Sequence, residues 1–237
     1  MPLKKALFIT AANRPAYFRE TMNSWRKVRR FYDWHVFFRL EPTEFLDEHL
    51  EIIDELEHPS SAVIVNPQVY GVLEHPYVGF KHLFGLYFDF VVRAEDDLVV
   101  SEDILEYFHW ASNEYHHEKS VGAVLGFSEE SGPEDEVRRV DHFSPWVWAT
   151  WWDRWDNHIG PTWDHDYSTY NGYPGNEAGW DWNLNTRIFP QRGLQSVAPA
   201  ASRVQNIGVW GVHGTPENFR ESPSFEFERP VTKYVER

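Results

Sequence analysis

Phe88-Asp89-Phe90-Val91-Val92-Arg93-Ala94-Glu95-Asp96-Asp97-Leu98-Val99-Val100 is the stretch on which the fold turns. Phe88 to Arg93 reads as a buried strand, three consecutive carboxylates follow, and Leu98-Val99-Val100 is apolar again. Like charges packed between apolar runs repel one another and lose hydration, a cost that a bound cation offsets. Hard carboxylate oxygens suit Mg or Mn in an open site shared with a diphosphate; an exposed turn is the alternative reading. The chain contains its own control. Glu134-Asp135-Glu136 is equally acidic but lies in a Ser-Gly-Pro loop, where a solvated charge run is expected. With 37 acidic residues among 237, about one such triplet arises by chance, so context and not composition singles out Glu95-Asp96-Asp97.

Upstream, three further apolar runs, Ala6 to Thr10, His35 to Leu40 and Ala62 to Val65, alternate with amphipathic stretches. Pro15 to Arg30, with Phe18, Met22 and Trp25 at helical spacing, Thr43 to Glu57, and Val78 to Tyr87 are the predicted helices. This β-α-β-α-β-α-β order predicts an α/β fold, a Rossmann-type, mostly parallel sheet flanked by helices, with ligands at the carboxyl ends of its strands. Downstream, Ser101 is placed to cap a helix whose first turn holds Glu102 and Asp103, and Val121 to Phe127 reads as another strand. Residues 146 to 182 then hold eight of the twelve tryptophans. Trp148, Trp151, Trp152 and Trp155 recur at helical spacing over Trp146 to Asn157, and Asp164 to Gly179 reads as a long functional loop. The expectation is a single domain over 1–237, with a donor half (1–127) and a Trp-rich acceptor half (128–237).

The formal net charge of −15 argues against a protein that coats nucleic acid or anionic membrane through bulk electrostatics. No cysteine occurs, so neither a disulfide framework nor a thiolate zinc site forms, which suits a cytoplasmic protein. No apolar run is long enough for a membrane helix, so no membrane insertion is expected.

Glu95-Asp96-Asp97-Leu98, followed by Asp103 and Glu106-Tyr107-Phe108, resembles the signature of the N-acetylglucosaminyltransferase I family and its protein-O-mannose relatives. Asn13-Arg14-Pro15 after the first strand, Trp180-Asp181-Trp182-Asn183, and Ser202-Arg203-Val204 with Gly208 are similar to further motifs of that family, in the same order. The resemblance implies a GT-A fold and a metal-dependent glycosyltransferase using a nucleotide-sugar donor, a UDP-sugar, with Mn or Mg. The matches are sparse between motifs, the tryptophan-rich region departs from the family pattern, and the membrane anchor and stem of the larger members have no counterpart here. A small anchorless form of the kind a bacterium or phage would encode is the expectation.

On that resemblance Asp97 is the direct metal ligand, while Glu95 and Asp96 face the ribose and the metal's water shell. Ala11 to Arg14, Asn13 included, would line the nucleotide pocket, since helix N-termini favour phosphates. Arg14 either reaches a phosphate or is a solvated arginine on a basic helix face. Glu41 either contacts base or ribose or caps a neighbouring element. Asp181 aligns with the family's catalytic aspartate and would deprotonate the acceptor hydroxyl during inverting, in-line attack; the alternative is a helix cap. His213, in a glycine-rich loop, is a candidate for the metal or diphosphate. Arg203 is structural or phosphate-facing. Flat tryptophan faces suit a saccharide, a glycosylated or hydroxylated protein, or a modified nucleobase as acceptor. Two other classes compete: a metal-dependent phosphoester hydrolase or nuclease, which needs ligands beyond the triplet, and a non-catalytic carbohydrate-binding protein.

Overall fold

β1 (Lys5–Ala11), α1 (Pro15–Trp25), β2 (His35–Leu40), α2 (Leu46–Asp54), β3 (Ser61–Val65), α3 (Gly71–Gly85) and β4 (Phe90–Glu95) alternate as the sequence predicts, in a computed structural model that describes residues 2–130, 132–165, 179–208 and 234–236. Beyond them lie β5 (Leu98–Val100), α4 (Ile104–Glu114), β6 (Val121–Leu125), β7 (Glu136–Val140) and β8 (Trp148–Trp151). After the short turn α5 (Trp152–Arg154) the described chain continues with α6 (Trp180–Asn183), α7 (Phe189–Arg192), β9 (Gln195–Pro199), β10 (Val204–Asn206) and β11 (Val235–Glu236).

Among the described residues nine strands form one sheet in the order β11-β7-β9-β6-β8-β4-β1-β2-β3, and β5 pairs separately with β10. β4, β1, β2 and β3 run parallel, as βαβ crossovers require. β8 enters antiparallel between β4 and β6. Each face of the sheet carries its own core. Leu7, Ile9, Phe38 and Val92 pack with Phe18, Met22 and Trp25 of α1 on one side, and Phe8, Val91 and Trp148 pack with Phe80 and Phe84 of α3 on the other.

Three local readings are corrected. α1 stops at Trp25 and not at Arg30, which adopts a left-handed φ of 67° that a helix does not accommodate. α3 begins at Gly71, well before the predicted Val78, with Pro76 inside it; a proline reads locally as a boundary, but the Glu41 carboxylate accepts the N–H groups of Tyr70 and Gly71 at 3.1 and 2.9 Å and fixes an earlier start. The helical reading of Trp146 to Asn157 fails over Trp148–Trp151, which is strand β8. A strand covered on both faces shows no alternation, so its tryptophans mimic helical spacing by coincidence.

Most described tryptophans are therefore core: Trp148, Trp151, Trp155, Trp163 and Trp180 are buried, and only Trp152 and Trp182 stand half exposed, at 49% and 45%. Among the described residues no helix is long and apolar enough to cross a membrane.

Gly79 sets how closely α3 approaches the sheet. A Cβ there would overlap the ring of Phe8, which is itself wedged edge-on against Phe80 at 5.0 Å. Gly79→Ala is expected to lower stability by about 1–3 kcal/mol, read from urea midpoints; an unchanged midpoint would mean that Phe8 has room to yield.

Candidate functional site

The carboxyl ends of β1, β2 and β4 lie side by side, and the segments leaving β1 and β4 meet where Arg14 pairs with Asp96 and Asp97. Glu95 ends β4, and Asp96-Asp97 form the turn into β5. That turn is tied down from three directions. The Asp96 carbonyl accepts the Thr21 hydroxyl of α1 at 2.9 Å, the Asp96 carboxylate accepts the Ala12 N–H at 3.4 Å, and the Asp97 carbonyl accepts the Ile207 N–H at 2.9 Å. Asp96 and Asp97 are consequently only 4% and 7% exposed.

Arg14, between β1 and α1, spans both side chains. Its Nη2 donates to Asp96 Oδ1 at 2.5 Å and its Nη1 to Asp97 Oδ2 at 2.7 Å. The fork matches the two carboxylates geometrically, yet one guanidinium does not compensate the charge gathered there. Burial pushes Asp97 up to about 7, with the Glu95 charge adding to it and Arg14 opposing. Asp96 is likewise raised, by burial first, against the pull of Arg14. For Arg14, desolvation works against the charged form, but the two carboxylates outweigh it and its pKa rises. The site thus has residual demand for positive charge. Gly208 closes it from the β10 side, where a Cβ would overlap the Asp97 carboxylate.

Asp181 comes to the same region from a distant part of the sequence. It lies in the first turn of α6, behind Gly179 at φ 104°. Burial raises its pKa above the ordinary carboxylate value; the N–H groups of Trp182 and of Asp181 itself and the Arg93 charge oppose this, and the Glu95 charge adds to it. The helix-cap reading of Asp181 is corrected: α6 starts at Trp180 with Gly179 at the cap position and no side-chain cap hydrogen bond, so Asp181 sits inside the first turn.

The remaining predicted residues divide by what holds them. Ala11 is buried at the end of β1, and Asn13 is exposed, next to Arg14 in the chain. Glu41 is buried and occupied: besides the α3 start it accepts Asn66 Nδ2 at 3.1 Å and meets His75 Nδ1 at 3.3 Å. His75 stays neutral, pushed down to about 3 by burial with the charges of Arg39 and Arg93 adding. Arg203 is fully buried against Asp103, its Nη2 3.1 Å from Oδ2, while Ser101 and Tyr234 hydroxyls donate to the same carboxylate. That network ties the entry to β10 to the start of α4. His213 lies outside the described residues, as does most of the loop read between Asp164 and Gly179.

Two participants were not singled out from sequence. Thr21 gives no local signal, because its role depends on which segment faces it. Arg93 does carry one, a charge inside the otherwise apolar Phe90-Val91-Val92-Arg93-Ala94 run. Gly208 was named with the Ser202-Arg203 motif, and only its approach to the Asp97 carboxylate is new.

Among the described residues no three acidic or histidine side chains converge to enclose a metal ion. An Mg- or Mn-type site shared with a diphosphate needs only one or two protein carboxylates, and Asp97 with Asp96 meets that requirement: hard oxygens, desolvated, with unbalanced negative charge.

No protein-family model and no curated protein matches the sequence. Solved structures match its fold. The mannosyltransferase PcManGT from Pyrobaculum calidifontis, in complex with GDP-Man and Mn2+, superposes with a TM-score of 0.57 at 13% identity, over 84% of this chain and 55% of that one. S. aureus TarS gives a TM-score of 0.58 at 13% identity, over 87% of this chain and 61% of that structure. GalNAc-T7 with UDP, GalNAc and Mn2+ gives 0.59 at 11% identity, over 86% and 43%. The chain spans less than two thirds of the length of each. At such identities the likeness establishes the fold, the GT-A type seen in these glycosyltransferases.

Because Asp97 binds its proton more tightly folded, near 7, than the ordinary carboxylate at 3.8, the native state is favoured at low pH, and stability falls as pH rises between those values. Thermal midpoints in chelator-treated buffer are expected to decline over that window, with Asp97→Asn flattening the decline. A slope equal to wild type in that variant would exclude Asp97 as its source.

Proposed function

We propose that the chain is a metal-dependent glycosyltransferase that moves a hexosyl or N-acetylhexosaminyl group from a nucleotide-sugar, a UDP-sugar, to an acceptor hydroxyl with inversion. The observation that carries this reading is the pair of buried carboxylates at the end of β4, bridged by Arg14, in a fold shared with glycosyltransferases solved with GDP-Man, UDP or Mn2+. The order of the motifs Asn13-Arg14-Pro15, Glu95-Asp96-Asp97 and Asp181 supports a relation to the N-acetylglucosaminyltransferase I family. In this reading residues 1–127 bind the donor and 128–237 the acceptor, both parts of one catalytic unit.

Asp97, with Asp96 beside it, would hold a divalent cation, Mn or Mg, that supplies Lewis acidity toward the leaving diphosphate. Arg14, already paired with Asp96 and Asp97, would exchange a carboxylate for a phosphate oxygen, which its fork fits equally well. Ala11 and Asn13 line the nucleotide side, and Glu95 faces the ribose. Asp181 accepts the acceptor's hydroxyl proton as the new bond forms at the anomeric carbon and the bond to the diphosphate oxygen breaks. Its raised pKa suits that task, since a carboxylate of ordinary acidity is a weak base near neutrality. The half-exposed Trp182 indole, one residue on, offers a flat face to a sugar ring.

The test is a panel of nucleotide sugars assayed for Mn- or Mg-stimulated donor hydrolysis. Asp97→Ala is expected to lower it by on the order of 100-fold or more, the scale of losing an electrostatic stabiliser of the leaving group. Hydrolysis unaffected by that change would remove the metal assignment. Asp181→Asn is expected to keep donor affinity by calorimetry while transfer falls by about 100-fold or more; transfer at the wild-type rate would remove Asp181 as base.

A further inference from the structure

Arg93 is the residue in β4 that the fold does not explain. Its neighbours in register are Phe8 on β1 and Trp148 on β8, an aromatic face on which a hydrophobic side chain would pack without penalty. A guanidinium buried to 2% exposure is costly unless its donors are met. Two of the three nitrogens are. Nη2 donates to Glu95, two residues along the same face, and Nη1 to the Pro145 carbonyl, on the segment entering β8, at 3.3 Å. Nε has no partner among the described residues. The guanidinium carbon lies over the Trp180 ring, 5.2 Å from its centroid, and Trp180 in turn stacks on Trp163 at 4.6 Å and 8°. One side chain thus touches the acidic motif at the end of β4, the entry to β8, and the residue next to Asp181.

We propose that Arg93 is a positioning residue that holds the Glu95 carboxylate and the Trp180-Asp181 turn in one fixed arrangement, so that donor-side motif and base are set by a single buried guanidinium. The inference rests on the glycosyltransferase reading only for the name of the reaction; the physical coupling stands on the contacts. At Asp181 the two strand charges act in opposite senses, Glu95 raising and Arg93 lowering its pKa. On α3, His75 stays neutral, and Glu74 is paired with His165.

The experiment compares Arg93→Met, which keeps the stem and removes the charge and fork, with Arg93→Lys, which keeps the charge. Two readouts are taken on folded protein, verified by thermal melts. In the first, the carboxyl carbon of Asp181 is titrated by NMR: Arg93→Met is expected to move its midpoint to higher pH, and Arg93→Lys to leave it near wild type. In the second, kcat for transfer is expected to fall by about 10- to 100-fold in Arg93→Met with donor KM changed by less than about threefold, the pattern of a misplaced catalytic group. An Asp181 titration identical in wild type and Arg93→Met, with kcat unchanged per folded molecule, would overturn the proposal and leave Arg93 a core residue. If wild type hydrolyses no nucleotide sugar, the glycosyltransferase reading falls, and the Asp181 titration still decides the role of Arg93.

Discussion

The site depends on a charge imbalance that the fold imposes: two carboxylates driven under the surface at the end of a central strand, with one arginine between them. Asp96 is buried because its backbone and side chain are fastened to α1 and to the segment after β1; Asp97 because β5, β10 and Gly208 close over it. Neither position is a product of favourable electrostatics. Packing of the apolar runs on either side places them there, and the charge is accommodated afterwards, in part by Arg14. Burial prevails over the salt bridge in both pKa directions, so the carboxylate pair keeps an appetite for a further cation that a surface ion pair, worth about 1 kcal/mol at most, would not have.

The first half of the fold was readable because its strands and helices carry distinct periods over short windows. β2 matches its predicted span, and β1, β3 and β4 match within a few residues. Readability failed where a boundary is set from elsewhere. The start of α3 is fixed by Glu41, about 30 residues away in the chain, while the local signal, Pro76, points to a later one. β8 has no period of its own because both its faces are covered.

The same distinction runs through the site. Glu95-Asp96-Asp97 stood out because its context is local, strand before and apolar run after. That Arg14 meets Asp96 and Asp97, 82 and 83 residues on, follows from the parallel register of β1 against β4, which no window of sequence contains. The sequence offered a phosphate or solvent as partner for Arg14; the structure pairs it with the carboxylates. Arg93 was visible as an anomaly, but its meaning required knowing that Trp180 and Pro145 arrive beside it.

The place of β8 bears on how the molecule is assembled. β4, whose end carries the acidic turn, has β1 on one flank and β8 on the other, and β8 is contributed by residues 148–151. A growing chain that has just completed β4 therefore presents that strand as an open edge until more than 50 further residues have followed. Residues 1–127 by themselves would expose the same unpaired rim, an invitation to edge-to-edge association. The two halves are thus mutually dependent in folding: the strand that bears the acidic motif becomes interior only when the tryptophan-rich half arrives to cover it.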